Sequence, residues 1–468
     1  MSDPNDLPDP NDPNDLPDLP DFSIAGLPHV FRPGDPGYDE ELSGFQLGFS
    51  PRPDVIVGAT GTDDVRTAVA YAAAHGLPVG VQATGHGVPA AAEGGLLITT
   101  RRMDGVRIDP AARTATVGAG VRWRQVVEAA GPHRLAPLNG SSPVVGAVSY
   151  TLGGGLGLLA REFGYAADHV RALDVVTADA WPRRVTPDSD PDLFWALLGG
   201  GHNFGVVTAV EMDLMPVARL YGGALLFDGE LRDDVVARYL DWLGTVPDTL
   251  TSSLAVMVYP DMERLPAILR GRYTLSIRIA FTGDEAEGER LVAPLRAIGP
   301  TITDSLREMP YTESATIHND PDFPHAYWGD SAMLSGLDAR TLTELLEMTG
   351  PGAPAMCIVQ VNALGGALAR EPEVPNAVPY RDAAFLVRGL SPLLGPDLSA
   401  VRELYGRFFE RLAPVTVGRS LNFVFADGAR TEGLYDAGTA RRLAGLKARY
   451  DPANLFRRNY NIRPADPA

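Results

Sequence analysis

Residues 53–83 carry two short apolar runs separated by a helical stripe. Val55-Ile56-Val57 is β-branched and reads as a strand. Thr62-Asp63-Asp64 then reads as a cap ahead of Val65, Ala68, Val69 and Ala72, which share one helix face, and Gly76 stops the pattern. Leu77-Pro78-Val79-Gly80-Val81 resumes extended structure and runs into the loop Ala83-Thr84-Gly85-His86-Gly87. Further strands are predicted over 96–100, 106–109, 114–118, 170–178 and 205–214, with helices over 122–130 and 190–198. This alternation predicts an α+β domain of mixed sheets.

After Pro216 the texture changes. Strand-like runs at 251–259, 273–281, 355–363 and 384–390 interleave with helical patterns at 232–243, 284–297, 338–348 and 397–411. Their order predicts a second domain, an α/β unit with a sheet covered by helices. The expected divisions are 1–40, 41–216, 217–417 and 418–468. The last of these is loop- and asparagine-rich, with Tyr450-Asp451-Pro452-Ala453-Asn454-Leu455-Phe456 read as a turn.

Composition narrows the function. The 468 residues suit two domains or three, and 45% apolar content is ample for packed cores. A net charge of −19 argues against nucleic acid or an anionic membrane as partner. Residues 1–21 hold seven Asp, six Pro and no basic residue, so this acidic arm is expected to be disordered or extended at its start. It has neither the basic nor the apolar region of a secretion signal, and a cytoplasmic protein is expected. One cysteine, Cys357, excludes an internal disulfide framework, and the eight scattered histidines show no metal-ligand spacing.

The longest uncharged stretch runs from Leu135 to Ala160 and holds six glycines and two prolines, unlike a lipid-facing helix. Within it, Ser141-Ser142-Pro143-Val144-Val145-Gly146 leads to Leu152-Gly153-Gly154-Gly155-Leu156-Gly157. Glycines let backbone approach a ligand closely, and free N–H groups bind a pyrophosphate without side-chain charge. The same run also reads as a structural loop. It is not the Gly-x-Gly-x-x-Gly fingerprint of a Rossmann domain. His86, between glycines, is either a solvated loop histidine or a ring free to lie against a cofactor.

These segments, in order, resemble the vanillyl-alcohol-oxidase and para-cresol-methylhydroxylase flavoprotein superfamily, and within it the berberine-bridge-enzyme-like branch. The resemblance spans nearly the whole chain after residue 40. It rests on Val81-Gln82-Ala83-Thr84-Gly85-His86, Gly118-Ala119-Gly120-Val121, the Gly-Gly-Gly segment and Asp192-Leu193-Phe194-Trp195-Ala196. It continues through Asn203-Phe204-Gly205-Val206-Val207, Leu364-Gly365-Gly366-Ala367, Val378-Pro379-Tyr380-Arg381 and Asn459-Tyr460-Asn461-Ile462. The fold it implies is α+β: a two-part FAD-binding domain, 41–216 with 418–468, and a substrate domain, 217–417, with an antiparallel sheet under helices.

The resemblance implies FAD attached covalently, as an 8α-histidyl link, through His86. Gln82, Ala83, Thr84, Gly85, Gly87, Ser141, Ser142, Val145, Gly146 and Ser149 are then expected to bind cofactor. So are Gly153, Gly154, Gly155, Gly157, Gly205, Val206, Asn459 and Asn461. Ser142 stands where many members place a second-linking cysteine, so a single link is expected. Valine at 145 is the residue that in relatives favours oxygen access.

The acid–base residues depart from the family. Phe423, Val387, Asn362 and Tyr460 stand where relatives carry Tyr, a carboxylate, Tyr and Gln. Alcohol oxidation needs a base, and the remaining candidates for a catalytic role are Tyr150, Tyr460, Asn362 and His202, each also readable as packing or hydrogen-bonding. His318, His325, Tyr327 and Trp328 either line the pocket or lie on a surface loop. An aromatic, base-poor pocket suits a bulky, mostly apolar metabolite. The expectation is an oxidase using a small-molecule substrate and O2. The alternative is a flavoprotein that sequesters a metabolite or drug, or a redox-neutral cyclase.

Overall fold

The computed structural model describes residues 24–87, 93–263, 265–393, 395, 398–425 and 431–466. The acidic repeat of the expected arm lies outside the described residues. Its continuation does not hang free: Ile24 is buried, β1 (Val30–Phe31) pairs antiparallel with β2 (Val55–Gly58), and the helix Tyr38–Leu42 buries Tyr38 and Glu41.

The architecture is α+β, with three sheets. The first has the order β1-β2-β4-β3, where β3 (Val79–Gln82) and β4 (Leu96–Thr99) run parallel beside β2. Its helix Thr62–Ala74 turns Val65, Ala68, Val69 and Ala72 inward, as their spacing predicts. The predicted cap is corrected. Gly61 is the N-cap and has no side chain to make a cap bond, while Asp64 accepts from Thr60 N–H and hydroxyl.

The second sheet is antiparallel, in the order β5-β6-β9-β7-β8. Its strands are β5 (Val106–Asp109), β6 (Thr114–Gly118), β7 (Val170–Val176), β8 (Pro182–Val185) and β9 (Val206–Asp213).

The third sheet has nine antiparallel strands. They are β10 (Arg219–Asp228), β11 (Leu250–Val258), β12 (Tyr273–Phe281), β13 (Thr301–Asp304), β14 (Arg307–Pro310), β15 (Tyr327–Leu334), β16 (Ile358–Ala363), β17 (Phe385–Pro392) and β18 (Thr416–Gly418). The order is β13-β10-β12-β11-β16-β17-β15-β18, with β14 also on β10.

Side chains alternate across this sheet. Leu225, Leu254, Val256, Ile277, Val359 and Val387 point to one face. There they pack under the helices Arg232–Leu243, Glu285–Arg296, Ala339–Thr349 and Leu398–Leu412. Each fully buried aliphatic contributes about 1.5–3 kcal/mol. Trp328 belongs to this covered face, its ring tilted 32° against Tyr405 with centroids 5.3 Å apart, so it is a core residue and not a pocket residue.

The final segment is less loop-like than its composition suggests. Ala437–Tyr450 is a helix capped by Asp436, which accepts from Gly438 and Thr439 N–H. The turn at Tyr450–Phe456 is also core, because Leu455 and Phe456 are buried. Beyond it the chain returns to β3: Val79 N–H donates to Leu455 O, and the Asn459 amide bonds Val81 at both N–H and C=O. Among the described residues no helix is long and apolar enough to cross a membrane.

Candidate active site

The uncovered face of the nine-stranded sheet roofs a cavity of about 1250 Å³. Alternation puts Thr274, Ser276 and Arg278 of β12, Ser253 and Ala255 of β11, Gln360 and Asn362 of β16 and Arg388 of β17 on that face. The opposite wall is the end of β3 with its following loop, the glycine-rich segment, residues 200–203 and the returning Asn459-Tyr460.

His86 stands on this wall. Its ring stacks on Phe45, Thr84 Oγ1 lies 2.8 Å from Nδ1, and the Tyr327 hydroxyl donates to its carbonyl at 2.6 Å. Thr84 Oγ1 also accepts from Gly146 N–H, joining the histidine loop to the glycine-rich segment. Nε2 is shut off from solvent and has no hydrogen-bond partner. Burial, with the Arg122 charge second, pulls the imidazole pKa down to about 3. The ring is therefore neutral and keeps a lone pair for bonding.

Gln82, Ala83, Thr84, Gly85, Gly87, Ser141, Ser142, Val145, Gly146, Ser149, Gly153, Gly157 and Asn459 share the cavity wall with His86. Gly157 is required by close approach: a Cβ there would lie 2.4 Å from Asn139 O. Five expected cofactor residues are not on the wall. Gly154 and Gly155 turn the chain behind it at φ +106° and +81°. Gly205 packs on Val176 O, Val206 is core, and Asn461 is absent from the lining.

The candidate catalytic residues all reach the wall, but none offers a ready base. The Tyr150 hydroxyl is buried without a partner, and burial lifts its pKa far above the ordinary value. Tyr460 donates its proton to Val424 O at 2.6 Å. His202 Nε2 sits 3.1 Å from Ser149 Oγ, and burial lowers its pKa to about 4. Asn362 Oδ1 accepts from Gln360 Nε2.

Aromatic side chains line the pocket, as expected, but its roof is also charged. Arg278, Gln360, Arg388, His318 and Asp320 cluster at the roof, and sequence reasoning missed all of these but His318. The readable signal was Arg278 on the polar side of the Thr274/Ser276/Arg278 alternation. His325 and Tyr327 also line the cavity. Arg124 and Arg458 reach its wall too, outside the uncharged stretch.

The comparisons agree with this geometry. Residues 53–185 match the family pattern described as FAD binding domain, and residues 421–463 match the one described as berberine and berberine like. The chain is 30% identical over 467 residues to (R)-6-hydroxynicotine oxidase of Paenarthrobacter nicotinovorans, covering 94% of this chain and 97% of that one. The chain belongs to the berberine-bridge-enzyme-like FAD-linked oxidoreductases.

An FAD-linked oxidoreductase of Bacillus subtilis (strain 168) is 26% identical, covering 92% of this chain and 95% of its own. The crystal structure of 6-hydroxy-D-nicotine oxidase from Arthrobacter nicotinovorans superposes with a TM-score of 0.81 at 27% identity, covering 95% and 99% of the two chains. A chitooligosaccharide oxidase shares the fold at a TM-score of 0.81 and 21% identity, over 94% and 97%.

This flavoenzyme's cavity fits FAD on its own terms. His86 Nε2, Ser142 Oγ, Tyr150 Oη and His202 Nδ1 are lining residues' polar atoms that are buried without partners. Buried orphans of this kind are costly and few in native proteins, and a polar ligand satisfies them.

Proposed function

We propose that this FAD-linked enzyme is an oxidase that carries its flavin on His86 alone and oxidises a bulky small molecule with O2. The observation that carries the reading is the shielded, unpartnered Nε2 of a neutral His86 on the cavity wall. Bound flavin supplies the hydride acceptor, and its reoxidation by O2 releases peroxide.

The chain's own residues hold and position. Thr84 and Phe45 set the His86 ring, the Gly146–Gly157 segment shapes the cofactor wall, and Asn203 anchors Tyr460 and Ile462 through its amide. Residues 41–216 and 418–468 serve the cofactor, and residues 217–417 serve the substrate. Leu226, Met257, Ile358 and Leu390 give the roof apolar surface for a bulky ligand. Cys357 is buried beside Ser391, on the helix-covered side, which supports a single covalent link.

Acid precipitation tests the attachment: yellow colour should pellet with the polypeptide and be absent from the pellet of His86→Ala. Colour left in the supernatant of the native protein overturns it. Peroxide release with a turned-over substrate supports the oxidase. Flavin that stays oxidised while product forms supports a redox-neutral cyclase instead.

A further inference from the structure

Resting on the reading of this cavity as the substrate chamber, we propose that the substrate carries a carboxylate, held by the paired guanidinium groups of Arg278 and Arg388. The two arginines come from β12 and β17, outer neighbours of β11 and β16 in the sheet. Ser253 of β11 stands opposite both Arg278 and Asn362, and Gln360 stands opposite Arg388, so the pair shares the cavity face. Both converge on one neutral oxygen. Arg278 Nη1 donates to Gln360 Oε1 at 3.0 Å, and Arg388 Nη2 donates to the same atom.

The remaining protein contacts do not neutralise them. Arg278 Nη1 lies 3.2 Å from His318 Nδ1, a ring whose pKa burial pulls down to about 3, so it is neutral and adds no charge of either sign. Arg388 lies over the Phe423 ring at 5.0 Å. Among the described residues neither arginine makes an ion pair with a carboxylate. Asp320 is the counter-charge in reach. Burial opposes its ionisation, but the charges of the cluster hold its pKa below the ordinary value. Two cations therefore face one anion, and the cluster is one negative charge short.

Unpaired buried cations are costly, and burial draws Arg388 down to about 10. A carboxylate supplies the missing charge and two acceptor oxygens matched to guanidinium forks. A ligand ammonium would meet net positive charge at the same place. The apolar roof beside the pair receives the rest of the molecule.

The test is calorimetric titration of holoenzyme with 2-naphthoate, its neutral isostere 2-naphthamide and the cation 2-naphthylmethylammonium. The naphthoate should bind about tenfold or more tighter than the amide, the scale of a charge-assisted bond, and the cation weakest. Arg278→Met and Arg388→Met should abolish that preference. Asp320→Asn, which removes the one anion and keeps the side-chain size, should increase it. Equal binding of naphthoate and amide, or an unchanged preference in Asp320→Asn, overturns the inference. So does loss of flavin from the arginine variants in place of lost probe discrimination, since the pair would then serve the cofactor.

Binding heats do not depend on turnover. A protein that prefers the anion, yet turns over a substrate without releasing peroxide, refutes only the oxidase. One that makes peroxide without preferring the anion refutes only the carboxylate.

Discussion

The Phe45 ring stacks on the His86 ring, with centroids 3.8 Å apart and planes 12° apart. An aromatic pair of this kind contributes about 0.5–1.5 kcal/mol beyond its buried area. Here it also fixes the orientation of a nitrogen that the proposed function needs aimed at the cavity. Phe45→Ala should lower the share of flavin that pellets with acid-denatured polypeptide severalfold, while the fold survives. His86→Ala should leave none. Full covalent loading in Phe45→Ala would show that Thr84 alone positions the ring.

His202 makes the protein sensitive to acid. Burial lowers its pKa from 6.5 to about 4. Between those values the unfolded chain binds a proton that the native state refuses, so stability falls as pH drops through this window and returns as pH rises. The full effect of one such group is about 3 kcal/mol. His202→Gln should flatten the fall in Tm between pH 7 and pH 4.5. Parallel Tm profiles for the two proteins would refute the assignment.

The contiguous parts of the site were legible because they are local. Thr84, Gly85 and His86 are neighbours in sequence, and Gly146 to Gly157 form one run, so motif and geometry coincide. Phe45 and Tyr327 were not legible as partners of His86, because the contacts span about 40 and 240 residues and leave no local trace. The same holds for Arg278, Gln360 and Arg388. Period-two alternation shows which face each occupies, but only strand order shows that they meet. The four strands and four helices predicted within residues 217–417 were read to within a few residues, but β10, β13, β14, β15 and β18 were not predicted. The helix Ala437–Tyr450 was missed because it buries only Leu443 and Lys447, too few positions to mark a stripe.

Arg381, in a segment that carries the family resemblance, is a clasp. Its Nη2 lies 2.6 Å from Asp168 Oδ1 and its Nη1 3.1 Å from Oδ2, with both side chains about nine-tenths buried. Asn376 Nδ2 donates to the same carboxylate. Arg381→Ala would leave Asp168 buried without its countercharge, at a cost of about 3–5 kcal/mol. Arg381→Lys keeps the charge but not the fork, and should fall between Ala and the native residue. Urea denaturation followed by flavin fluorescence reads both. Equal loss in Lys and Ala variants would show that the fork, not the charge, matters.

Lys447 and Asp451 are both fully buried and lie 2.6 Å apart on the last helical turn. Lys447 also donates to Asn203 O at 2.6 Å and Phe456 O at 3.1 Å, while Asp451 accepts from Leu455 and Phe456 N–H. The pair thus pins the returning C-terminal segment to Asn203, whose amide bonds Tyr460 O and Ile462 N–H on the cofactor side. Lys447→Ala and Asp451→Ala should each cost about 3–5 kcal/mol, because each strands a charge in the core. The double variant should cost clearly less than the two combined, since it strands none. Asp451→Ala should be the harsher single change, as it also orphans two backbone N–H groups. Chemical denaturation of the three variants measures the coupling, and strictly additive losses would show that the pair acts as two separate packing residues.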